Sequence, residues 1–176
     1  MRTKPMRTLA LVYLLLLSAC DGAAPPAAPQ AAGLRLDGLE NARVGMTLKE
    51  AEAALGPLTV PSGVEPNACF YAKSETHPGV LVMMTEGALQ RIDVREGATS
   101  TDTGLRIGDA VAKVHDTYGA AVETLPHKYE WESGAQYLTI YDDTKVLAIR
   151  FVTSGGKVAS FHAGNAEQVQ YVEGCG

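Results

Sequence analysis

Two stretches of the chain place apolar residues at the i, i+3, i+7 spacing of a helix that buries one narrow stripe: Leu48, Ala51 and Leu55, then Val111, Val114 and Tyr118. Each is preceded by a β-branched residue and a glycine (Val44-Gly45, Ile107-Gly108) and closed by a glycine (Gly56, Gly119). Thr47 with Glu50 three residues on reads as a capping box, whereas Asp109 is expected to cap the second helix alone. After each helix the period changes to the alternation of half-buried strands. Ala68 to Lys73, Val80 to Thr85 and Ala88 to Arg95 follow the first, turning through Glu86-Gly87. Lys128 to Glu132, Gln136 to Tyr141 and Lys145 to Thr153 follow the second, and a Ser154-Gly155-Gly156 hairpin leads into Lys157 to His162.

The two halves align at an offset of 63 residues, Arg43-Val44-Gly45-Met46 on Arg106-Ile107-Gly108-Asp109, so one unit is used twice. The expected fold class is α+β: two tandem helix-then-antiparallel-meander repeats forming one sheet, with helices packed on one face. Residues 37–99 are read as repeat 1 and 100–176 as repeat 2 with a C-terminal tail.

The unit's Gly45-Met46-Thr47, helix and Leu55-Gly56-Pro57 run resembles that of the small BamE (SmpA/OmlA) lipoproteins, and the tandem arrangement resembles β-lactamase inhibitor protein. The layout as a whole, through Tyr171-Val172-Glu173-Gly174-Cys175, also resembles uncharacterised proteobacterial envelope proteins. These resemblances imply two functional themes, a subunit of an outer-membrane assembly machine and an inhibitor of an extracytoplasmic enzyme.

The N-terminus supplies an address. Arg2, Lys4 and Arg7 precede an apolar stretch from Leu9 to Leu17 that is too short to span about 30 Å of hydrocarbon, which makes residues 1–19 a secretory signal peptide. Leu17-Ser18-Ala19-Cys20 resembles the lipobox of bacterial lipoproteins, which implies cleavage before Cys20 and lipidation of that cysteine. Residues 20–36 then form the lipidated cysteine and an Ala/Pro-rich tether. The expected location faces the periplasm, lipid-anchored to the inner or outer membrane of a Gram-negative bacterium. With Cys20 lipidated, Cys69 and Cys175 remain in an oxidising compartment and are expected to form a disulfide.

Composition narrows the function. Of 176 residues, 157 follow the leader, enough for one ordinary domain and too few for a large multidomain enzyme. Taking Arg2, Lys4 and Arg7 from the 15 basic residues leaves 12 against 20 acidic ones, a net −8 that argues against nucleic-acid binding. Ser154-Gly155-Gly156-Lys157 matches SxxK but sits in a hairpin, where the two side chains do not share a helix face. His77, His115, His127 and His162 are widely spaced, and Asp142-Asp143 reads as a hairpin tip. No catalytic residue, metal site or cofactor is expected.

A face of the sheet left uncovered by helices is the expected contact surface. Strand parity groups Tyr129 with Trp131 and Tyr137 with Tyr141, Arg91 falls out of step with its apolar neighbours, and Arg150 opposes Ile149 and Phe151. Tyr, Trp and Arg are the residue types enriched at interface hot spots. The candidate protein-binding residues are therefore Tyr129, Trp131, Tyr137, Tyr141, Arg91 and Arg150. The leading reading is a non-enzymatic envelope lipoprotein that binds an envelope protein partner through this face, possessing a membrane anchor and no affinity for nucleic acid. The alternatives are an inhibitor of a periplasmic or secreted hydrolase, with Ser74 to Gly79 or Ser133-Gly134 as the inserting loop, and a glycan or cell-wall binding module that stacks sugars on Trp131.

Overall fold

The structure is a computed structural model that describes residues 33–176. The expected signal peptide, Cys20 with its expected lipidation, and most of the expected tether lie outside the described residues. Packing begins at Leu34, three residues before the boundary read from the sequence, because Leu34 is fully buried. It opens a small antiparallel sheet of β1 (Leu34–Arg35), β2 (Gly38–Leu39) and β3 (Ala42–Arg43), in which Leu39 and Ala42 also enter the core.

The chain continues as α1 (Leu48–Leu55), β4 (Leu58–Thr59), β5 (Phe70–Ser74), β6 (Val80–Thr85) and β7 (Ala88–Val94). A second helix, α2 (Val111–Tyr118), is followed by β8 (Glu123–Pro126), β9 (Gln136–Tyr141), β10 (Leu147–Ser154), β11 (Lys157–Asn165) and a short α3 (Ala166–Val169). Strands β4 to β11 form one antiparallel sheet in the order β4-β5-β6-β7-β11-β10-β9-β8. The protein is thus α+β, with a large antiparallel sheet and a few helices.

Helices α1 and α2 lie on the apolar face. Ala51, Leu55 and Val114 join Val82, Ile92, Val94, Ile149, Phe151 and Phe161 in one core, and Tyr118 brings its ring to 6.1 Å from that of Phe151. The Thr47–Glu50 capping box forms, with the Thr47 amide donating to Glu50 Oε2 at 2.9 Å. The second helix departs from expectation. Ala110 is its N-cap, and Asp109 accepts instead from the Arg106 amide and from Lys113 Nζ, both at 2.8 Å, closing the turn before the helix. Both helix approaches are tied to the sheet by paired backbone bonds: Gly45 N to Leu89 O and Leu89 N to Met46 O, Gly108 N to Val158 O and Val158 N to Asp109 O.

Two further expectations are corrected. Lys128 to Glu132 is not a strand: His127 Nδ1 accepts the amides of Tyr129 and Glu130 at 3.2 and 3.0 Å, and a 3-10 turn at Trp131–Ser133 follows. Such local side-chain acceptors compete with sheet pairing. The pairing falls to β8, whose Pro126 is tolerated because the strand is an edge. Nor are all helices on one face, since α3 crosses the opposite side of β10, β11 and β7.

Arg91 is out of step for a visible reason. Met83 pairs with Arg91 and Met84 with Leu89, so Gln90 is the extra residue of a β-bulge. Gly164 on β11 packs against the backbone of Gln90 with φ +151, so close that a Cβ would clash, and the bulge therefore demands glycine opposite it.

Cys69 and Cys175 form a disulfide, Cα to Cα 5.3 Å, which joins the start of β5 to the segment after α3 across 106 positions. Gly174 passes over the Tyr71 ring on the way, at φ +66 and with no room for a side chain. Closing a loop of this length is worth about 4–5 kcal/mol on the chain-entropy estimate. Reduction, or paired Cys69→Ser and Cys175→Ser substitution, is expected to lower the melting temperature by roughly 10 °C or more in calorimetry.

Candidate functional site

The face opposite α1 and α2 carries charge where a sheet interior is usually apolar. On β7, Arg91 and Asp93 alternate with Ile92 and Val94; on β10, Arg150 alternates with Ile149 and Phe151; on β11, His162 lies between Phe161 and Ala163. Arg91, Asp93, Arg150 and His162 are all buried. Segment 166–176 covers them, and their hydrogen bonds hold it there.

Arg91 uses every donor it has. Its Nε and one Nη2 hydrogen meet the two Asp93 oxygens at 2.9 Å each, a bidentate pair. Its Nη1 donates to the carbonyls of Gln168 and Tyr171 at 2.7 and 2.9 Å, and Nη2 also reaches the Tyr71 hydroxyl. Asp93 takes a longer contact from Arg95 Nη2 at 3.5 Å. His162 Nε2 donates to Val169 O at 2.9 Å. Arg150 donates from Nε to Thr139 Oγ1 at 2.9 Å and from Nη2 to Gln170 Oε1, and Gln170 Nε2 donates to the Tyr141 hydroxyl at 2.7 Å. Its guanidinium lies 4.9 Å from the centre of the Tyr137 ring.

Beside this covered patch lies an open trough of about 300 Å³. Arg91, Arg150 and His162 contribute to its floor, Arg95, His127, Tyr137 and Ser160 also line it, and Tyr129, Tyr171 and Glu173 form its rim. The two rims are tied together. The Tyr129 hydroxyl donates to Glu173 Oε1, and Lys128 Nζ approaches the same oxygen at 3.2 Å. These two donors, the tyrosine first, hold the Glu173 carboxyl below its ordinary range.

The six residues nominated from the sequence divide accordingly. Tyr129 and Trp131 are 59% and 60% exposed on the 127–134 loop. Arg91, Arg150 and Tyr137 are buried and Tyr141 is half-buried, so the expected single open face is largely closed by the C-terminal segment. Tyr137 and Arg150 still reach the trough from below. Sequence reasoning missed Asp93, His162, Tyr171 and Glu173; the alternation of Asp93 and His162 with core residues was visible, whereas the fold of segment 166–173 back over the sheet was not.

Other candidates are plainer. Ser154 and Lys157 face each other across the β10–β11 hairpin, both exposed. His77 touches Ser74 Oγ at 3.3 Å and Glu40 Oε1 at 3.1 Å, in an order suggestive of a nucleophile triad, but Ser74 is 1% exposed and its oxygen accepts the His77 amide in a local turn. Among the described residues no group of His, Cys, Asp or Glu side chains is gathered as a metal ion requires. No helix among them is long and apolar enough to cross a membrane.

Burial lowers the pKa of His162 from 6.5 to about 4, with the Arg91 charge acting in the same direction and Asp93 opposing. The folded protein therefore binds fewer protons than the unfolded chain between these values. The stabilisation from a neutral His162 is complete above pH 6.5 and is lost as pH falls toward about 4. In urea titrations at pH 7 and 4.5, wild type is expected to lose about 2–3 kcal/mol more than His162→Gln, which keeps a donor for Val169 but cannot charge.

No protein-family model matches the chain, and no curated protein matches it. Among solved structures it is similar to the crystal structure of the uncharacterized protein yfeY from Escherichia coli, with 15% identity, a TM-score of 0.45, and coverage of 76% of this chain and 99% of that one.

Proposed function

We propose that this chain is a non-enzymatic, lipid-anchored envelope protein that binds a protein partner along the trough and its aromatic rim. The observation that carries the reading is the exposure of Tyr129 and Trp131 on a loop that is itself held in place, by His127 from within and by Glu173 across the trough. Leu125, Tyr171 and Val172 add further exposed apolar surface. Large aromatics kept in water at fixed positions are unfavourable for the isolated chain and favourable for a complex, in which they bury much area for little lost entropy.

The architecture of this reading is one helix-plus-four-strand unit used twice, a unit that resembles the BamE-like lipoproteins and, in tandem, β-lactamase inhibitor protein. The strand order supports it, since β4 to β7 and β11 to β8 run outward from a central β7–β11 pair. So do the matched tethers, in which Gly45 and Gly108 donate to Leu89 and Val158, and Thr47 and Ala110 bridge Ala88 and Lys157. Anchoring rests on the signal peptide and Cys20.

Two experiments test the proposal. Photo-crosslinking residues at Trp131 and Leu125, in the native envelope, are expected to give discrete protein adducts that the same residues at Lys49 and Glu52 on α1 do not give; identical patterns at all four would overturn the binding surface. Cys20→Ser is expected to move the protein from the membrane to the soluble fraction on cell fractionation; retention in the membrane would overturn the anchor.

A further inference from the structure

The trough has an electrostatic imbalance. Two buried guanidiniums, Arg91 and Arg150, share its floor with a single carboxylate, Asp93, and both oxygens of that carboxylate are engaged by Arg91 with Arg95 alongside. Arg150 forms no ion pair among the described residues, although it is 3% exposed. Burying a guanidinium without an anion is unfavourable, and the hydrogen bonds from Thr139 and Gln170 and the Tyr137 ring compensate only in part. His162 is neutral above its lowered range and contributes no charge, while Lys128 and Glu173 offset each other at the rim. The trough floor is thus cationic in a protein whose net charge is −5.

The unused hydrogen-bonding groups point the same way. Arg150 Nη1 has no partner among the described residues and, unlike the sealed Nη1 of Arg35, is not closed off from solvent. His127 Nδ1 accepts two amides, which leaves the ring proton on Nε2, a donor with no acceptor among the described residues. Ser160 lines the trough with a hydroxyl that has no hydrogen-bond partner among the described residues. Donors are in surplus and the one floor carboxylate is already taken.

We propose that the trough receives a carboxylate carried on a peptide segment of the partner, seated on the free edge of Arg150 with His127 Nε2 and Ser160 Oγ as further donors. This rests on the partner-binding reading above and names the partner's chemistry. A peptide fits better than a free small anion because the trough is bordered by the exposed Tyr129, Tyr171 and Val172, which offer apolar contact to residues flanking the acidic one. A guanidinium edge also matches the planar carboxylate, two parallel N–H groups against two oxygens.

The test uses the full-length protein in detergent and a capped hexapeptide with one central aspartate, its asparagine counterpart, and inorganic phosphate, measured by calorimetry and by the fluorescence of Trp131, the sole tryptophan. The aspartate peptide is expected to bind about tenfold or more tightly than the asparagine one, the scale of a charge-assisted hydrogen bond. Arg150→Met, which replaces a buried charge with an apolar side chain of similar reach, is expected to abolish that preference, and Ser160→Ala to weaken it roughly three- to fivefold. If Arg150→Met does not fold, Ser160→Ala decides the question, since it leaves the Arg150 and His127 bonds in place, and an unchanged aspartate preference in that variant then overturns the inference. Equal binding of the two peptides, an aspartate preference that survives in folded Arg150→Met, or phosphate that binds more tightly than the peptide and displaces it would each overturn the inference. Trp131 adducts that persist in Arg150→Met would overturn the inference and leave the partner surface standing; peptide preference without any adducts would do the reverse.

Discussion

A guanidinium placed in the middle of a β-sheet has to find five hydrogen-bond acceptors or remain an unpaired charge in a poorly hydrated site, and Arg91 meets that demand by recruiting the backbone of a distant segment. Two of its acceptors belong to Asp93 two residues away, but two are carbonyls of the α3 segment, that of Gln168, which also accepts the Tyr171 amide, and that of Tyr171 just beyond the helix. The arginine and the segment satisfy each other. Because that segment also supplies Tyr171, Val172 and Glu173 to the trough, the surface proposed for binding exists through a contact made on the opposite side of the sheet from the main core.

The two faces therefore stabilise the fold by different physics. Under α1 and α2 the sheet buries aliphatic and aromatic residues, and stability there follows area removed from water. Under α3 it buries a polar network in which each group depends on its neighbour's protonation and orientation. Loss of an apolar contact on the first face leaves a cavity; loss of a partner on the second leaves a stranded charge, which is the more severe defect.

Much of the architecture was legible because it rests on local patterns. The stripes Leu48-Ala51-Leu55 and Val111-Val114-Tyr118 sit within helices at those positions, and strands at Val80–Thr85 and Gln136–Tyr141 match their alternation. Tyr129-Glu130-Trp131-Glu132 alternates just as well, yet it turns, because His127 offers its ring nitrogen to two amides and a side chain in that role carries no periodic signature. The imperfect parity around Arg91 was a real signal, that of the bulge at Gln90. The site was half legible: residue types alone nominated the arginines and tyrosines, but their burial depends on where a remote segment lies, and no spacing encodes that.

The Cys69–Cys175 bridge is the covalent counterpart of the Arg91 clasp, since both fasten the same stretch to the same half of the sheet. Without the bridge the stretch is held by noncovalent contacts alone, the Arg91 hydrogen bonds to Gln168 and Tyr171 among them. Joining sulfur to sulfur thus sets a covalent limit on how far the rim can stray from the floor, beyond the hydrogen bonds that already seat it.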